Sequence, residues 1–178
     1  MIVDKEQLRE KVRVFADRDS AGNSLAEMLS DYDNCGGIVM AIPAGGVPVG
    51  AAVAKKLDLE LDLAVVSKAL LPWNTEAGFG AVAFDGSIKL NETMVKQSGL
   101  SDEQIEKQVS AAKQKVQRRM RDLRGKRNLP NLEGRTVFLL DDGIASGFTM
   151  LVAAEAIRAH QPGELIIAVP TAHGRAIA

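Results

Sequence analysis

Short runs of apolar residues alternate along the chain with longer stretches in which apolar residues recur every three or four positions. Four of the runs cover residues 38–42, 61–67, 136–140 and 165–170. Continuous apolar runs of this length are typical of strands buried on both faces of a parallel sheet, and the longer stretches favour helices. Strands that alternate with helices through right-handed crossovers predict an α/β fold with a doubly wound, mainly parallel sheet.

The first 34 residues predict a helical entry in two segments. Leu25, Met28 and Leu29 have the spacing that covers a core, and Asp19 or Ser20 is placed to cap a helix here. We expect the charged residues of this region to serve helix ends and solvent rather than chemistry.

One segment departs from the alternation of strands and helices. Residues 80–90 predict a hairpin, because Asp85-Gly86 between two strand-like runs favours a two-residue type I′ turn. The turn-rich residues before it contain the only tryptophan, Trp73. We expect this excursion to lie outside the parallel sheet. An ordinary decorative hairpin and a contact with a second subunit are both open as explanations.

A long helix is predicted over residues 101–124, because Ser101 begins a capping box and apolar residues follow at spacings of three and four. Residues 107–127 include nine Lys or Arg and one acid, Asp122. Such clusters bind nucleic acid in some proteins. Here the basic residues surround the helix and no aromatic residue is interleaved with them. A solvated face is therefore the favoured interpretation, and a nucleic-acid-binding module is the alternative.

The composition is that of one globular domain. The 178 residues are 46% hydrophobic and 25% charged, and the formal net charge of −1 argues against general binding of polyanions. Cys35 is the single cysteine, so an internal disulfide framework is excluded and a reducing compartment is expected. The sequence has neither an apolar run of about 18 residues nor a signal-peptide pattern. We expect a single cytoplasmic domain over residues 1–178, without a membrane partner.

The candidate chemistry is concentrated at the end of the run 136–140. Asp141 and Asp142 follow this run side by side, and a small glycine-bearing loop then leads directly into a helical pattern. In parallel sheets the ligand crevice lies beyond the carboxyl ends of the strands, so both carboxylates are expected there. A helix start presents unpaired N–H groups and a positive dipole end, and Ser146 and Thr149 add hydroxyl donors. An anion cradle beside two acids suits a phosphorylated polyol.

A second strand, loop and helix of this kind begins with residues 38–42. The loop sequence PAGGVPVG carries glycines at the turn, so the same argument predicts a second anion site. Two phosphate cradles on one crevice are what a substrate phosphorylated at both ends requires. A tight turn without a ligand is the alternative explanation of the glycines.

The sequence DDGIASGFT resembles the ribose-phosphate signature of the type I phosphoribosyltransferases, in which two acids precede Thr-Gly-x-Thr. Ser146 replaces the usual threonine and keeps the hydroxyl. The segments FADRDSAGNSLAEML, AIPAGGVPVG, VVSK and GAVAFDGSIKLNE are most similar to the uncharacterised bacterial and archaeal group of predicted phosphoribosyltransferases. The resemblance covers nearly the whole chain.

The resemblance implies a glycosyltransferase of nucleotide metabolism. It would bind phosphoribosyl pyrophosphate with Mg²⁺, transfer the 5-phosphoribosyl group to a small-molecule acceptor such as a nitrogenous base, and release pyrophosphate. Residues 69–91 would form a flexible loop over the site, and a homodimer is expected. The implied site comprises Asp141, Asp142 and Lys68 as catalytic residues, with Mg²⁺ held through the substrate and the two acids; Ala145, Ser146, Gly147, Phe148 and Thr149 for the 5′-phosphate; and Ala44, Gly45 and Gly46 for the pyrophosphate.

Some features keep alternatives open. Ala44 stands where related sequences often carry Arg or Lys, so the first alternative is a non-catalytic regulatory protein that binds phosphoribosyl pyrophosphate. A receiver domain that accepts phosphate on an aspartate is a weaker one. Lys68 either faces phosphate or marks the exposed end of the strand 61–67, and His173 lies in the crevice or on a surface turn. The sequence ends where a further helix is expected to start, so an incomplete C-terminal region is expected.

Overall fold

The computed structural model describes residues 2–174, apart from the side chains of residues 75 and 76. The helix expected beyond this range therefore lies outside the described residues. None of the described helices has the length and apolarity that crossing a membrane requires. In chain order the elements are α1 (Arg18–Met28), β1 (Ile38–Ala41), α2 (Gly46–Lys56), β2 (Glu60–Leu63), β3 (Val66–Leu71), β4 (Asn74–Ala83), β5 (Ile88–Leu90), α3 (Glu92–Ser98), α4 (Asp102–Arg124), β6 (Thr136–Leu140), α5 (Phe148–Ala159) and β7 (Glu164–Ala168).

Four strands form a parallel sheet in the order β2-β1-β6-β7. Ile38 at the start of β1 lies opposite Glu60 of β2 and Val137 of β6. The chain builds this sheet outward in two directions, with β1, α2 and β2 in one half and β6, α5 and β7 in the other. The strand order therefore reverses between β1 and β6, and ligands of open α/β sheets bind at such a reversal. The predicted fold, a doubly wound parallel sheet, is confirmed.

Both faces of the parallel sheet are buried. On one face, Val39 and Phe138 pack with side chains of α1 and α2. On the other, Met40 and Leu139 pack with α5, with α4 and with a second sheet. Because successive side chains of a strand point to opposite faces, each strand contributes to two cores. Burial on both sides explains why these strands read as continuous apolar runs.

The strands β3, β4 and β5 form a separate antiparallel sheet, so the predicted hairpin does lie outside the parallel sheet. Its turn is not the predicted type I′ turn. The Gly86 N–H donates to the Ala83 carbonyl at 3.0 Å, and the Ala83 N–H donates to the Ser87 carbonyl at 2.9 Å. These bonds close a three-residue loop in which Gly86, with a φ of 87°, is the left-handed residue and Asp85 is not. A type I′ turn needs a positive φ at both central residues.

Two predictions about the chain between β1 and the hairpin were wrong. The run 61–67 is not one strand, because β2 ends at Leu63 and β3 begins at Val66 in the other sheet. Lys68 consequently lies inside β3, opposite Ala81, and not at the end of a parallel strand. The stretch expected to be turn-rich is mostly strand as well, since it forms the end of β3 and the first half of β4. Residues 63–66, where the chain changes sheet, are all apolar, so none of them marks the change.

The start of α1 also differs from the prediction. Its N-cap is Asp17, neither Asp19 nor Ser20, and the Asp17 carboxylate accepts the Ser20 N–H at 2.7 Å. Ser20 completes a capping box, since its hydroxyl accepts the Asp17 N–H at 3.1 Å. The first of the two predicted helical segments is only a 3₁₀ turn, Glu6–Leu8. Positive φ angles follow it at Glu10 and Arg13, and such angles do not continue a right-handed helix.

The long helix α4 covers the predicted range and has the predicted capping box. Most of its basic residues are exposed, but Arg124 is buried. Its guanidinium donates to Asp62 Oδ1 at 2.9 and 2.6 Å and to the Leu63 carbonyl at 3.1 Å. One member of the basic cluster therefore ties the end of α4 to β2.

Candidate active site

A pocket of about 310 Å³ opens where the strand order reverses between β1 and β6. Its walls are the loop after β1, the loop after β6, the first turn of α5 and part of β3. Two predicted site residues lie outside these walls: Gly46 sits beneath the carboxylates, and Phe148 packs against the core. The predicted residues that line the pocket are Ala44, Gly45, Lys68, Asp141, Asp142, Ala145, Ser146, Gly147 and Thr149.

The loop after β6 leads into the N-terminus of α5 at the pocket. Gly147, the N-cap, has φ 75° and ψ −13°, a left-handed conformation that glycine adopts without strain. The cap has no side chain, so none occupies the N–H groups of the first turn. Ser146 and Thr149 line the pocket on either side of this cap. Free N–H groups, a positive dipole end and hydroxyls together suit an anion.

The helix α2 begins at the same pocket in a similar way. Its N-cap is Gly45, and again no side chain caps the helix. The other three described helices have side-chain caps, provided by Asp17 for α1, Asn91 for α3 and Ser101 for α4. Among the five α-helices of residues 2–174, only the two that start at the pocket therefore lack a side-chain cap.

The two acids lie directly against the loop after β1. A Cβ atom added to Gly45 would lie 2.1 Å from Asp142 Oδ2, and one added to Gly46 would lie 2.8 Å from the Asp141 Cα. Any side chain at Gly45 would therefore displace the Asp142 carboxylate or the loop. The glycines predicted to serve an anion also allow this approach, which places the acids between the N-termini of α2 and α5.

The segment after β7 braces the loop that follows the acids. The Ile144 N–H donates to the Thr171 carbonyl at 3.0 Å, and the His173 N–H donates to the Ile144 carbonyl at 2.8 Å. The Thr171 hydroxyl also donates to the Asp142 carbonyl, at 3.4 Å. His173, for which a crevice and a surface position were both open, has an exposed side chain, and its backbone holds the loop.

Sequence reasoning missed one residue at this site, Arg18. Its guanidinium donates through Nε and Nη2 to Asp142 Oδ2, at 2.9 and 2.7 Å. The charges near this helix start were expected to serve only helix ends and solvent. The two residues are 124 positions apart, so no local pattern reveals their contact. The only available signal was that Arg18 lies in a segment that shares the family resemblance.

Asp141 is the titratable group most affected by the pocket. Burial raises its pKa to about 6, and the adjacent Asp142 carboxylate raises it as well. The Asp142 N–H, which donates to Asp141 Oδ1 at 2.8 Å, and the Arg18 charge act in the opposite direction. The two acids therefore have different environments, since Asp142 is ion-paired with Arg18 and Asp141 has no ion pair among residues 2–174.

Lys68 lines the pocket although it lies within β3 and not at the end of a parallel strand. Its side chain is exposed, as is expected of a cation that is available to a ligand. Lys68 therefore lines the same pocket as the two acids, but it reaches the pocket from the second sheet, which the sequence did not indicate.

The acids fit the expected Mg²⁺. The described residues contain no group of three or more His, Cys, Asp or Glu side chains that would enclose a metal without a substrate. Mg²⁺ prefers oxygen ligands and is usually held by one or two carboxylates together with waters and substrate phosphates. Asp141 and Asp142 provide such carboxylates at the mouth of a pocket with two anion cradles.

Two solved structures resemble this fold. The crystal structure of TT1426 from Thermus thermophilus is 32% identical, with a TM-score of 0.74, over 92% of this chain and 77% of that one. A purine phosphoribosyltransferase from Pyrococcus horikoshii matches with 15% identity and a TM-score of 0.54, over 90% of this chain and 76% of that chain. The latter similarity concerns the fold alone.

Sequence comparisons give the family. A Mycobacterium tuberculosis protein whose name proposes a phosphoribosyl transferase is 36% identical over 159 residues, which are 89% of this chain and 36% of that protein. The chain thus spans about a third of the length of this curated relative. The family model of the phosphoribosyl transferase domain matches residues 19–177. The chain belongs to the phosphoribosyl transferase domain family.

Proposed function

We propose that this protein is a phosphoribosyltransferase that uses phosphoribosyl pyrophosphate. The observation that carries the proposal is the pair of helix N-termini without side-chain caps, α2 and α5, on either side of Asp141 and Asp142. Phosphoribosyl pyrophosphate has a phosphate at C5 and a pyrophosphate at C1, with a vicinal diol between them. Two anion cradles with two carboxylates between them match this order of groups.

Each part of the substrate has a partner in the pocket. The loop 145–149 takes the 5′-phosphate through backbone N–H groups and through the hydroxyls of Ser146 and Thr149. Residues 44–46 take the pyrophosphate. The carboxylates of Asp141 and Asp142 accept the ribose hydroxyls. Lys68 faces the phosphate charge from β3.

Transfer breaks the bond between C1 and the pyrophosphate oxygen and forms a bond from C1 to a nitrogen of the acceptor. The electron pair of the broken bond leaves with pyrophosphate, while the ribose ring gains positive charge. The backbone N–H groups of Ala44 and Gly45, in the loop that leads into α2, stabilise the leaving group as its charge grows. Bound Mg²⁺ would add the same kind of charge stabilisation. The acceptor loses a proton to complete the balance.

Calorimetric titration with phosphoribosyl pyrophosphate, with and without Mg²⁺, tests the proposal. We expect Mg²⁺-dependent binding by the wild type and its loss in Asp141→Asn/Asp142→Asn. Asp31→Asn/Asp33→Asn, which removes two exposed surface charges, is the matched control and should bind normally. Acceptor bases are then screened by pyrophosphate release. A folded wild type that does not bind the ligand would refute the proposed function.

A regulatory protein that binds phosphoribosyl pyrophosphate without turnover is the second candidate. Ala44 favours it, because this position of the pyrophosphate loop has no cationic side chain. The two candidates differ in catalysis and not in binding. Binding without pyrophosphate release, across a panel of purine and pyrimidine acceptors, would favour the regulatory protein.

We further propose that the protein is a cytoplasmic homodimer. We also propose that the second sheet, formed by β3, β4 and β5, covers the site. Val66 and Lys68 of β3 already line the pocket, so movement of this sheet would change the access of water. Analytical ultracentrifugation with and without phosphoribosyl pyrophosphate tests the assembly. A monomer at micromolar concentrations in both conditions would contradict it.

A further inference from the structure

The pyrophosphate side of the proposed site has no cationic side chain on its own loop. Ala44, Gly45 and Gly46 offer only backbone groups. Of the described residues that line the pocket, Lys68 is the one cation, and it belongs to β3 and not to this loop. A pyrophosphate has several negative charges, so a further positive side chain beside the loop would strengthen its binding.

Arg18 does not line the pocket itself, but its side chain pairs with Asp142, which does. Its guanidinium donates two hydrogen bonds to Asp142 Oδ2, the same oxygen that a Cβ of Gly45 would meet at 2.1 Å. The guanidinium and the loop are therefore both neighbours of one carboxylate oxygen. Among residues 2–174, no other basic side chain forms a hydrogen bond or an ion pair with either acid of the pocket.

The packing of α1 against α2 fixes this position. Gly22, one turn after Arg18, lies so close to α2 that a Cβ atom there would be 2.6 Å from the Val49 carbonyl oxygen. Further along, Leu25 of α1 and Val53 of α2 share one core. The two helices thus run side by side with their first turns at the pocket. Arg18 is the first residue of α1, so the helix presents it there.

The guanidinium has donors to spare. Arginine has five N–H donors in a fixed planar fork, and the edge formed by Nε and Nη2 serves Asp142. No further hydrogen-bond partner of Arg18 is found among residues 2–174. The side chain is 58% exposed, so the remaining donors are open to a ligand.

We propose that Arg18 provides the cation of the pyrophosphate site, holding Asp142 with one edge and the pyrophosphate with its remaining N–H groups. This inference rests on the proposed function, because it takes phosphoribosyl pyrophosphate as the ligand. Asp142, the acid beside Gly45, would accept the 2-hydroxyl, and C2 is bonded to C1, which bears the pyrophosphate. A guanidinium on Asp142 is consequently adjacent to the leaving group and stabilises its growing charge.

Comparing two ligands separates this role from the mere positioning of Asp142. Phosphoribosyl pyrophosphate and ribose 5-phosphate share the diol and the 5′-phosphate and differ in the pyrophosphate. For Arg18→Gln we expect calorimetric affinity for phosphoribosyl pyrophosphate to fall about tenfold to a hundredfold, as for the loss of a charge-assisted hydrogen bond. Affinity for ribose 5-phosphate should fall by less than about threefold, since a surface ion pair contributes little. Arg18→Lys should lose less affinity for phosphoribosyl pyrophosphate than Arg18→Gln does, because lysine keeps the positive charge but not the planar fork of donors.

Arg9→Gln is the matched control. Arg9 also pairs with a carboxylate, that of Asp4, and its side chain is likewise 58% exposed. This variant should bind both ligands as the wild type does. Equal losses for the two ligands in Arg18→Gln, or no loss for either, would overturn the role of Arg18 while the proposed function stands. A wild type that fails to bind phosphoribosyl pyrophosphate would overturn both. Thermal melts verify that each variant is folded. If Arg18→Gln does not fold, the same comparison of the two ligands is made with Arg18→Lys.

Discussion

At the scale of single residues, Asp141 makes stability depend on pH. Its pKa is about 6 in the folded chain and 3.8 without the fold. Between these values the folded state binds more protons than the unfolded state, so the free energy of unfolding contributed by Asp141 decreases as pH rises through this window. Asp141→Asn removes this penalty and keeps the oxygen that accepts the Asp142 N–H.

We therefore expect Asp141→Asn to raise the melting temperature of the ligand-free protein at pH 7–8, by about 2–4 °C if the partly solvated carboxyl costs on the order of 1 kcal/mol. The gain should shrink as pH falls below 6 and vanish near pH 4. Paired melting curves of the two proteins from pH 4 to 8 measure it. A difference that does not change with pH would contradict the raised pKa of Asp141.

Gly45 is a second position where one residue decides the geometry of the site. A methyl group there would overlap the Asp142 carboxylate, which lies 2.1 Å from the ideal Cβ position. Gly45→Ala should therefore weaken phosphoribosyl pyrophosphate binding at least tenfold, because the acid or the loop must move. Gly174→Ala is the control, since none of the described residues has an atom within 4 Å of a Cβ there. Calorimetry that finds unchanged affinity in Gly45→Ala would show that the loop adapts.

Comparing the acids and glycines of the site with Arg18 indicates how far the sequence predicts the site. Asp141, Asp142 and the glycines were predictable because each follows a strand and precedes a helix, and such positions converge at one edge of a parallel sheet. Arg18 was not predictable in this way. It reaches the site only because α1 packs closely on α2, and that packing depends on a contact between Gly22 and the backbone of Val49.

At the scale of elements, a buried ion pair ties α4 to β2. Arg124 is 5% exposed and Asp62 is 8% exposed. Arg124→Met should lower the free energy of unfolding by about 3–5 kcal/mol, because it leaves the Asp62 carboxylate buried without its partner. Urea denaturation measures this change. Arg121→Met, at an exposed position of the same helix, should change stability by less than about 0.5 kcal/mol.

A double variant tests whether the unpaired Asp62 charge causes the loss of stability in Arg124→Met. In Arg124→Met/Asp62→Asn the buried charge is absent, and the amide oxygen can still accept the Leu63 N–H, now bonded to Asp62 at 2.6 Å. The double variant should therefore recover part of the lost stability. If it is no more stable than Arg124→Met, Arg124 acts by packing and not by pairing its charge.

The ion pair of Arg124 and Asp62 also explains why the prediction of a fully solvated basic face on α4 was wrong at one residue. The basic residues of α4 were predicted to be a solvated face, and most are exposed, but nothing in the sequence marks Arg124 as the buried one. Its partner Asp62 interrupts the apolar run 61–67 just where β2 is about to end. The start of α4 at its capping residue Ser101 was predicted correctly, whereas the cap of α1 was not. The change from the parallel to the antiparallel sheet after Leu63 was not predicted, because tertiary packing and not a local pattern decides where it occurs.

At the scale of the whole molecule, the pocket joins the two halves of the doubly wound sheet. One cradle belongs to β1 and α2, and the other belongs to β6 and α5. Because the strand order reverses, right-handed crossovers place α2 and α5 on opposite faces of the sheet. The alternation of strands and helices predicts such crossovers, but it does not predict the order of the strands. The second sheet, which adds Lys68 to the same pocket, does not follow from that rule.

A ligand that spans both cradles should stabilise the molecule more than two separate ligands. Phosphoribosyl pyrophosphate holds its two anionic ends in one molecule, so binding of one end places the other at a high effective concentration. At about 100 times its dissociation constant it would add about 2.7 kcal/mol, or roughly 5–10 °C in melting temperature. Ribose 5-phosphate and pyrophosphate, added together at the same concentrations with Mg²⁺, should produce a smaller shift. The shift by phosphoribosyl pyrophosphate should disappear in Asp141→Asn/Asp142→Asn. Equal shifts for the joined and the separate ligands would mean that the two cradles do not act on one substrate.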